Sequence, residues 1–226
     1  MDLFSNLDTM TPDNLMSSGS VPVLVKAVTL KAAQGNIARG SVLGIVKLTV
    51  GAIAADEGNT GDAAIAAATL ADNVQTGTYT IGCVTAPSGA AANDAVFAVF
   101  APDGSRLADS TQGVAYAGGH LIFTIGNATA ADSVVGDLYT VTVGAGSGLA
   151  VLVDSSKHDG SQEADCILTD YVATGADGAT DNIVAEAYRT GHFNRQALIF
   201  GGTDTAGDHE ARLRELGIHL SDHIAY

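Results

Sequence analysis

The stretch GTYTIGCV, Gly77–Val84, puts Tyr79, Ile81 and Cys83 on alternate positions, with Thr78, Thr80 and Gly82 between them. A period of two matches a strand with one face in a core, because successive side chains of a strand point to opposite sides. Its neighbours carry the same signal. AVFAVF (95–100) is a short apolar run closed by APDGS (101–105), where Pro102, Asp103 and Gly104 supply turn chemistry. HLIFTI (120–125) is bounded by Gly118-Gly119 and Gly126, and GDLYTVTVG (136–144) alternates Leu138, Thr140 and Thr142 against Tyr139, Val141 and Val143. Short strands at this spacing, with turns between them, predict a small antiparallel β-sandwich over residues 51–148. DAAIAAATLAD (62–72) stands against that pattern, since its alanines give it the propensity of a helix.

The flanks have another texture. VPVLVKAVTL (21–30) is rich in β-branched residues and reads as a strand, with Pro22 near its start, where a missing N–H does least harm. QGNIARGSVLGIVKLTV (34–50) adds a glycine-bearing turn and a second extended run. After Gly148, LAVLVDSS, HDGSQEADCILTDYV and DNIVAEAYRTGHFN predict further strands. TDTAGDHEARLRELG (203–217) predicts a helix. Thr205 caps its first turn, Asp208 and Glu210 sit early, Arg212 and Arg214 late, and Gly217 ends it in the left-handed conformation. The expected class is therefore mainly β with one or two short helices. A core domain of residues 21–50 and 149–226 is interrupted by the sandwich of 51–148. Residues 1–20, polar with scattered Leu3, Phe4, Leu7, Met10, Leu15 and Met16, read as an arm that orders on a partner; the composition suits a disordered tail equally.

Composition excludes several roles. The 226 residues are 46% hydrophobic, enough to bury a core, and the 27 glycines exceed an average share of about 7%, which favours hairpins and tight turns. The net charge is −15 with only ten Lys and Arg, which opposes nucleic-acid binding, since phosphate contact needs clustered cations. Cys83 and Cys166 each lie in an apolar run and are read as buried free thiols. MDLFSNLDTM lacks the basic and apolar regions of a signal peptide, and no run of about 18 apolar residues exists to span a membrane, so the expectation is a protein made in the cytosol.

The densest polar cluster is YRTGHFNRQALIFGG, Tyr188–Gly202, with Arg189, His192, Asn194 and Arg195 close together. A catalytic reading needs a nucleophile or a perturbed carboxylate beside it, and neither is evident in the sequence. The plainer reading is a turn at Gly191 with arginines paired to acids within the chain or across a subunit boundary. His219 and His223 stand four apart with His209-Glu210 nearby, but they follow Gly217 in an extended tail, where the rings do not converge on a metal. GNTGDAA (58–64) lacks the Gly-Lys-Ser/Thr ending of a phosphate loop, and the loops at Asp103, Asp132 and Asp137 lack a twelve-residue calcium pattern. The sequence thus predicts no catalytic, cofactor-binding or metal-binding residue.

DNLMSSGSVPVLVKAVTLKAAQGNIARGSVLGIV, DGSQEADCILTDYV, VAEAYRTGHFNRQALIFG and HEARLRELGIHL, in this order, resemble the head decoration proteins of lambda-like tailed bacteriophages. The likeness covers residues of about 13–50 and 150–220, and Tyr188–Phe200 is its most specific part. The middle, with GTYT, PDG, FTI and GD-x-YTVTV, resembles a β-domain module of phage virion proteins, which makes 62–72 a strand. Shorter, lambda-type members lack that module. The resemblance implies a non-enzymatic homotrimer on the outer capsid surface. It would sit at local three-fold positions and clamp the major capsid protein of the expanded head against DNA pressure. It also implies an arm that adds a strand to the capsid, with Leu15, Met16, Val21, Val23 and Val25 as capsid contacts. Tyr188, Arg189, His192, Phe193, Asn194 and Arg195 would form the trimer interface. An acidic surface suits the outside of a shell, and three weak contacts per trimer become strong together. The alternative is a surface-displayed binding module, in which the inserted domain holds a carbohydrate or another host-surface ligand.

Overall fold

The computed structural model of the chain describes residues 14–18, 20–90 and 92–222. Among them the chain forms, in order, strands β1 (Met16–Ser18), β2 (Leu24–Leu30), β3 (Asn36–Ile37), β4 (Val42–Ile45), β5 (Leu48–Ala55) and β6 (Ile65–Leu70). There follow β7 (Gly77–Thr85), β8 (Val96–Phe100), β9 (Ser110–Thr111), β10 (Ala115–Ala117), β11 (Leu121–Ile125) and β12 (Leu138–Ala145). The last are β13 (Ala150–Leu152), β14 (Ala164–Leu168), β15 (Val172–Ala173), β16 (Ile183–Asn194), one α-helix, α1 (Ala206–Glu215), and β17 (Ile218–Ser221). Among the described residues the protein is mainly β with one short α-helix. It divides into two compact units: residues up to 44 with 150–154 and from 163 onward, and residues 45–149 with 155–162.

In the first unit β2, β16, β14, β4 and β13 bond in a ring and close a small barrel. Register separates its two faces. Leu43 pairs with Cys166 and Leu168 with Ala187, and these, with Val28 and Leu30, fill the inside. Val42 and Ile167 face the other way, into a second core with Leu15, Phe193, Leu198, Leu213 and Ile218. Helix α1 supplies Leu213 to that core, and buries Ala206 and His209 beside it. Its start follows from local chemistry: the Thr205 backbone N–H and Oγ1 both donate to the Asp208 carboxylate, at 2.7 and 2.8 Å. Gly217, at φ +83°, ends it.

The second unit is an antiparallel sandwich. A five-stranded sheet, ordered β5-β12-β7-β8-β9, and a three-stranded sheet, β10-β11-β6, enclose one core. Tyr79, Ile81 and Cys83 are buried there with Phe97, Val99, Leu121, Phe123, Ile125, Tyr139, Val141 and Val143. Residues 65–70 of the alanine-rich segment are strand β6, paired to β11 with Phe123 opposite Ala68 and Leu121 opposite Leu70. Pairing and burial of Ile65 override the helix propensity. The unit starts at Ile45, and β5 runs through the position where the sequence suggested a boundary. Residues 155–162 also belong to it, because Lys47 N and Leu48 N both donate to Asp159 O, at 2.7 and 2.9 Å.

Candidate functional site

The polar segment is the second half of β16. Its first half lies between β2 and β14; from Gly191 onward it is flanked by β17, in parallel, and by β1, antiparallel. No turn forms at Gly191: the strand continues to Asn194, and the chain turns in a 3-10 segment at Arg195–Ala197. The glycine is needed for another reason. A Cβ there would stand 2.7 Å from the Phe193 ring, which folds back over residue 191.

Burial sorts the expected interface residues into two kinds. Phe193 is fully buried and meets the Tyr188 ring at a tilt, 5.2 Å between ring centres, so it serves its own core. Asn194 is buried too; its Oδ1 accepts the Gln196 N–H, and its own N–H donates to Leu15 O. His192 is half-buried, with Nδ1 at 3.4 Å from Ser20 Oγ. Arg195 grips Glu210 with both terminal nitrogens, at 2.7 and 2.8 Å, and its Nε lies 3.3 Å from Asp222. That fork ties the end of β16 to helix α1. Arg189 differs. It sits at the register shift between Tyr188 and Thr190, is exposed, and has no ion-pair partner among the described residues.

The expected capsid contacts separate in the same way. Leu15 is buried in the core that holds Phe193, and Met16 packs on that core while pairing with Phe193 across β1 and β16. The end of the arm is thus part of the first unit; residues 1–13 lie outside the described residues. Val21 is half-buried. Val23, Leu24 and Val25 are 39%, 55% and 53% exposed, and Val184 on the adjoining strand is 70% exposed. Val25 stands opposite Tyr188 and Leu24 opposite Thr190, so this apolar run brackets Arg189. Leu24 and Val184 were not singled out in the sequence. The alternation Ile183, Ala185, Ala187 against Val184 and Glu186 carries the signal for Val184, while the exposure of Leu24 follows only from the structure, where it pairs with Thr190 at the register shift.

The remaining candidates do not assemble into a reactive centre. His209 is buried with Asp204, Nε2 to Oδ2 2.8 Å, and stacks on Phe200, tying the start of α1 to the preceding loop. His219 is exposed, and His223 lies outside the described residues. Among the described residues no group of three or more His, Cys, Asp or Glu stands close enough to hold a metal. Asp103 accepts the Ser105 N–H in a turn, and Asp137 accepts from Thr60, Gly61 and Val134 backbone groups, which pins the 58–64 loop. Both cysteines are free and buried; burial pushes the Cys166 thiol up to about 12 and raises that of Cys83. Among the described residues no helix is long and apolar enough to cross a membrane.

No family model and no curated protein matches this chain. Two solved structures of FlgL from Xanthomonas campestris, from different crystal forms, are similar over 48% and 49% of the chain, at 15% and 16% identity, with TM-scores of 0.31 and 0.32. The matched region spans about a third of the FlgL chains (32% and 33%).

Proposed function

We propose that this is a structural virion protein: a head decoration protein that binds as a trimer on the outer capsid surface, at local three-fold positions, and stabilises the expanded head. The reading rests on the residue-level resemblance above. The observation that carries it is the apolar run Val23-Leu24-Val25, exposed on a chain of net charge −15, with Val25 and Leu24 opposite Tyr188 and Thr190 on either side of Arg189, which has no ion-pair partner among the described residues. Contiguous exposed apolar surface marks a contact site, and an arginine at its centre gives the contact polarity. A neighbouring copy, which carries 25 Asp and Glu, offers carboxylates that Arg189 could meet. Cyclic closure makes each contact threefold, so weak individual contacts suffice.

The test joins two measurements on the full chain. Sedimentation at micromolar concentration should give three times the 22.7 kDa of one chain. Incubation with expanded lambda-like heads should carry the protein into the capsid pellet. Arg189→Ala and Leu24→Asp, each exposed and so compatible with folding, should weaken trimer formation or capsid binding at least tenfold. A monomer that stays in the supernatant overturns the proposal.

A further inference from the structure

Strand β16 holds one acid and one strong base, Glu186 and Arg189, and both are exposed. Its neighbour β2 holds no carboxylate, and its single cation, Lys26, is ion-paired with Asp165. Among the described residues neither Glu186 nor Arg189 has an ion-pair partner, and they do not pair with each other.

The position of Arg189 is set by the strand itself. Val184 and Glu186 are exposed, while Ile183, Ala185 and Ala187 turn inward. Continued alternation would turn residue 189 inward as well. Instead Tyr188 pairs with Val25 and Thr190 with Leu24, so Arg189 is an extra residue, and such a bulge re-aims the side chain it carries. The arginine thereby becomes exposed between the pairs made by two exposed apolar residues, Leu24 and Val25. Glu186 has a like setting. It pairs with the exposed Ala27, and Val184, two residues earlier on the same side of the strand, is exposed too. Two small apolar patches result, one holding a carboxylate and the other a guanidinium.

Charge decides what covers them. A chain of net charge −15 repels its own copies, so copies approach best where the surface is locally neutral and opposite charges meet. With Lys26 already paired, β2 and β16 together offer one uncompensated charge of each sign. A cationic partner would match Glu186 and be repelled by Arg189, and an anionic partner the reverse. A second copy supplies both. A head-to-tail contact lays the carboxylate patch of one copy on the guanidinium patch of the next, and a closed ring leaves neither charge unmatched.

We propose that Glu186 of one copy pairs with Arg189 of the next, with Val184 and Ala27 of the first against Leu24 and Val25 of the second. The inference rests on the trimeric reading above and names the residues that make its contact. The guanidinium fork fixes how the copies are set against each other, and the apolar side chains around it exclude water.

The experiment is sedimentation velocity of the full chain and of three variants, Arg189→Glu, Glu186→Arg and the two together, over a hundredfold range of concentration. Each single reversal sets like charges against each other and should weaken trimer formation at least tenfold. The double reversal restores opposite charges and should recover association to within about threefold of the wild type. All three should keep the wild-type circular dichroism spectrum, because neither side chain holds its own chain together. A trimeric wild type with a double variant that associates no better than the single ones overturns the pairing and leaves the trimer standing. Single variants that stay trimeric but no longer pellet with expanded lambda-like heads also overturn it, and move Arg189 to the capsid contact. A wild type that is monomeric at every concentration overturns the pairing together with the reading it rests on.

Discussion

Gly40 shows how much of the first unit is decided by single atoms. It is buried at φ +85°, and a Cβ would meet Ala197 O at 2.8 Å and Leu15 Cδ1 at 3.1 Å. Backbone conformation and space both demand glycine, so Gly40→Ala should cost about 1–3 kcal/mol in a denaturant melt; a neutral result would mean that the Leu15 segment is not seated there. In the second unit Asp62 plays the comparable part. Its carboxylate accepts from Thr129 N and Oγ1 and from Ala130 N, at 2.9, 2.6 and 2.8 Å, and these bonds, the Thr129 hydroxyl first, bring its pKa down from 3.8 to about 2. A depressed carboxylate stabilises the folded state above its unfolded pKa and ceases to do so as pH falls through the folded one. Between pH 4 and pH 2 the wild-type melting temperature should therefore fall further than that of Asp62→Asn. Parallel curves for the two proteins across that window would contradict the assignment. At this scale the sequence is readable where alternation is strict, as at Tyr79, Ile81 and Cys83. It is silent where a residue's role depends on a distant partner, as for Gly40 under Ala197.

Among the elements, β16 is the one that joins the parts of its unit. It changes neighbours at Gly191, from β2 and β14 to β1 and β17, and its end is fastened to α1 by Arg195 and Glu210. Arg189 and Arg195, alike in sequence, should accordingly part in behaviour. Arg195→Ala removes a two-pronged link inside the chain and should lower the melting temperature by a few degrees at any protein concentration, corresponding to about 1 kcal/mol for a pair one-third exposed. Arg189→Ala should leave the monomer's stability alone and shift association. Differential scanning fluorimetry over a hundredfold concentration range separates the two. Equal effects would mean that Arg189 has no partner outside its own chain. The helix was legible because its cap, charges and closing glycine are local, at Thr205, Asp208 and Gly217. Strand β6 was not legible from its residues alone: alanines favour a helix, and only the partner strand β11 decides. The folding back of Leu15 and Met16 was hidden likewise, since a short polar segment with two apolar residues reads the same whether it docks at home or elsewhere.

For the whole molecule, the second unit leaves and re-enters the chain at adjacent points. Val46 N donates to Leu149 O at 3.0 Å, and Gly146 N to Lys47 O at 2.7 Å. An insertion with touching ends constrains the host little. Removing residues 48–146 and joining Lys47 to Ser147 should leave a folded first unit with a cooperative melt by circular dichroism and with capsid binding intact; loss of both would show that the first unit cannot stand alone. The sequence changes texture near residues 51 and 148 and groups 155–162 with the flanks, whereas the compact units divide at 44/45 and 149/150 and place 155–162 with the second, because their hold on Lys47 and Leu48 runs through backbone atoms that carry no side-chain signature. The central claim concerns where the molecule sits. An electron-microscopy map of expanded lambda-like heads saturated with the protein tests it most directly. The account predicts three copies of the first unit over each local three-fold position, with Val23–Val25, Val184 and Arg189 at a contact with a neighbouring copy or the capsid. Bare three-fold positions, or copies bound with that surface facing solvent, would contradict it.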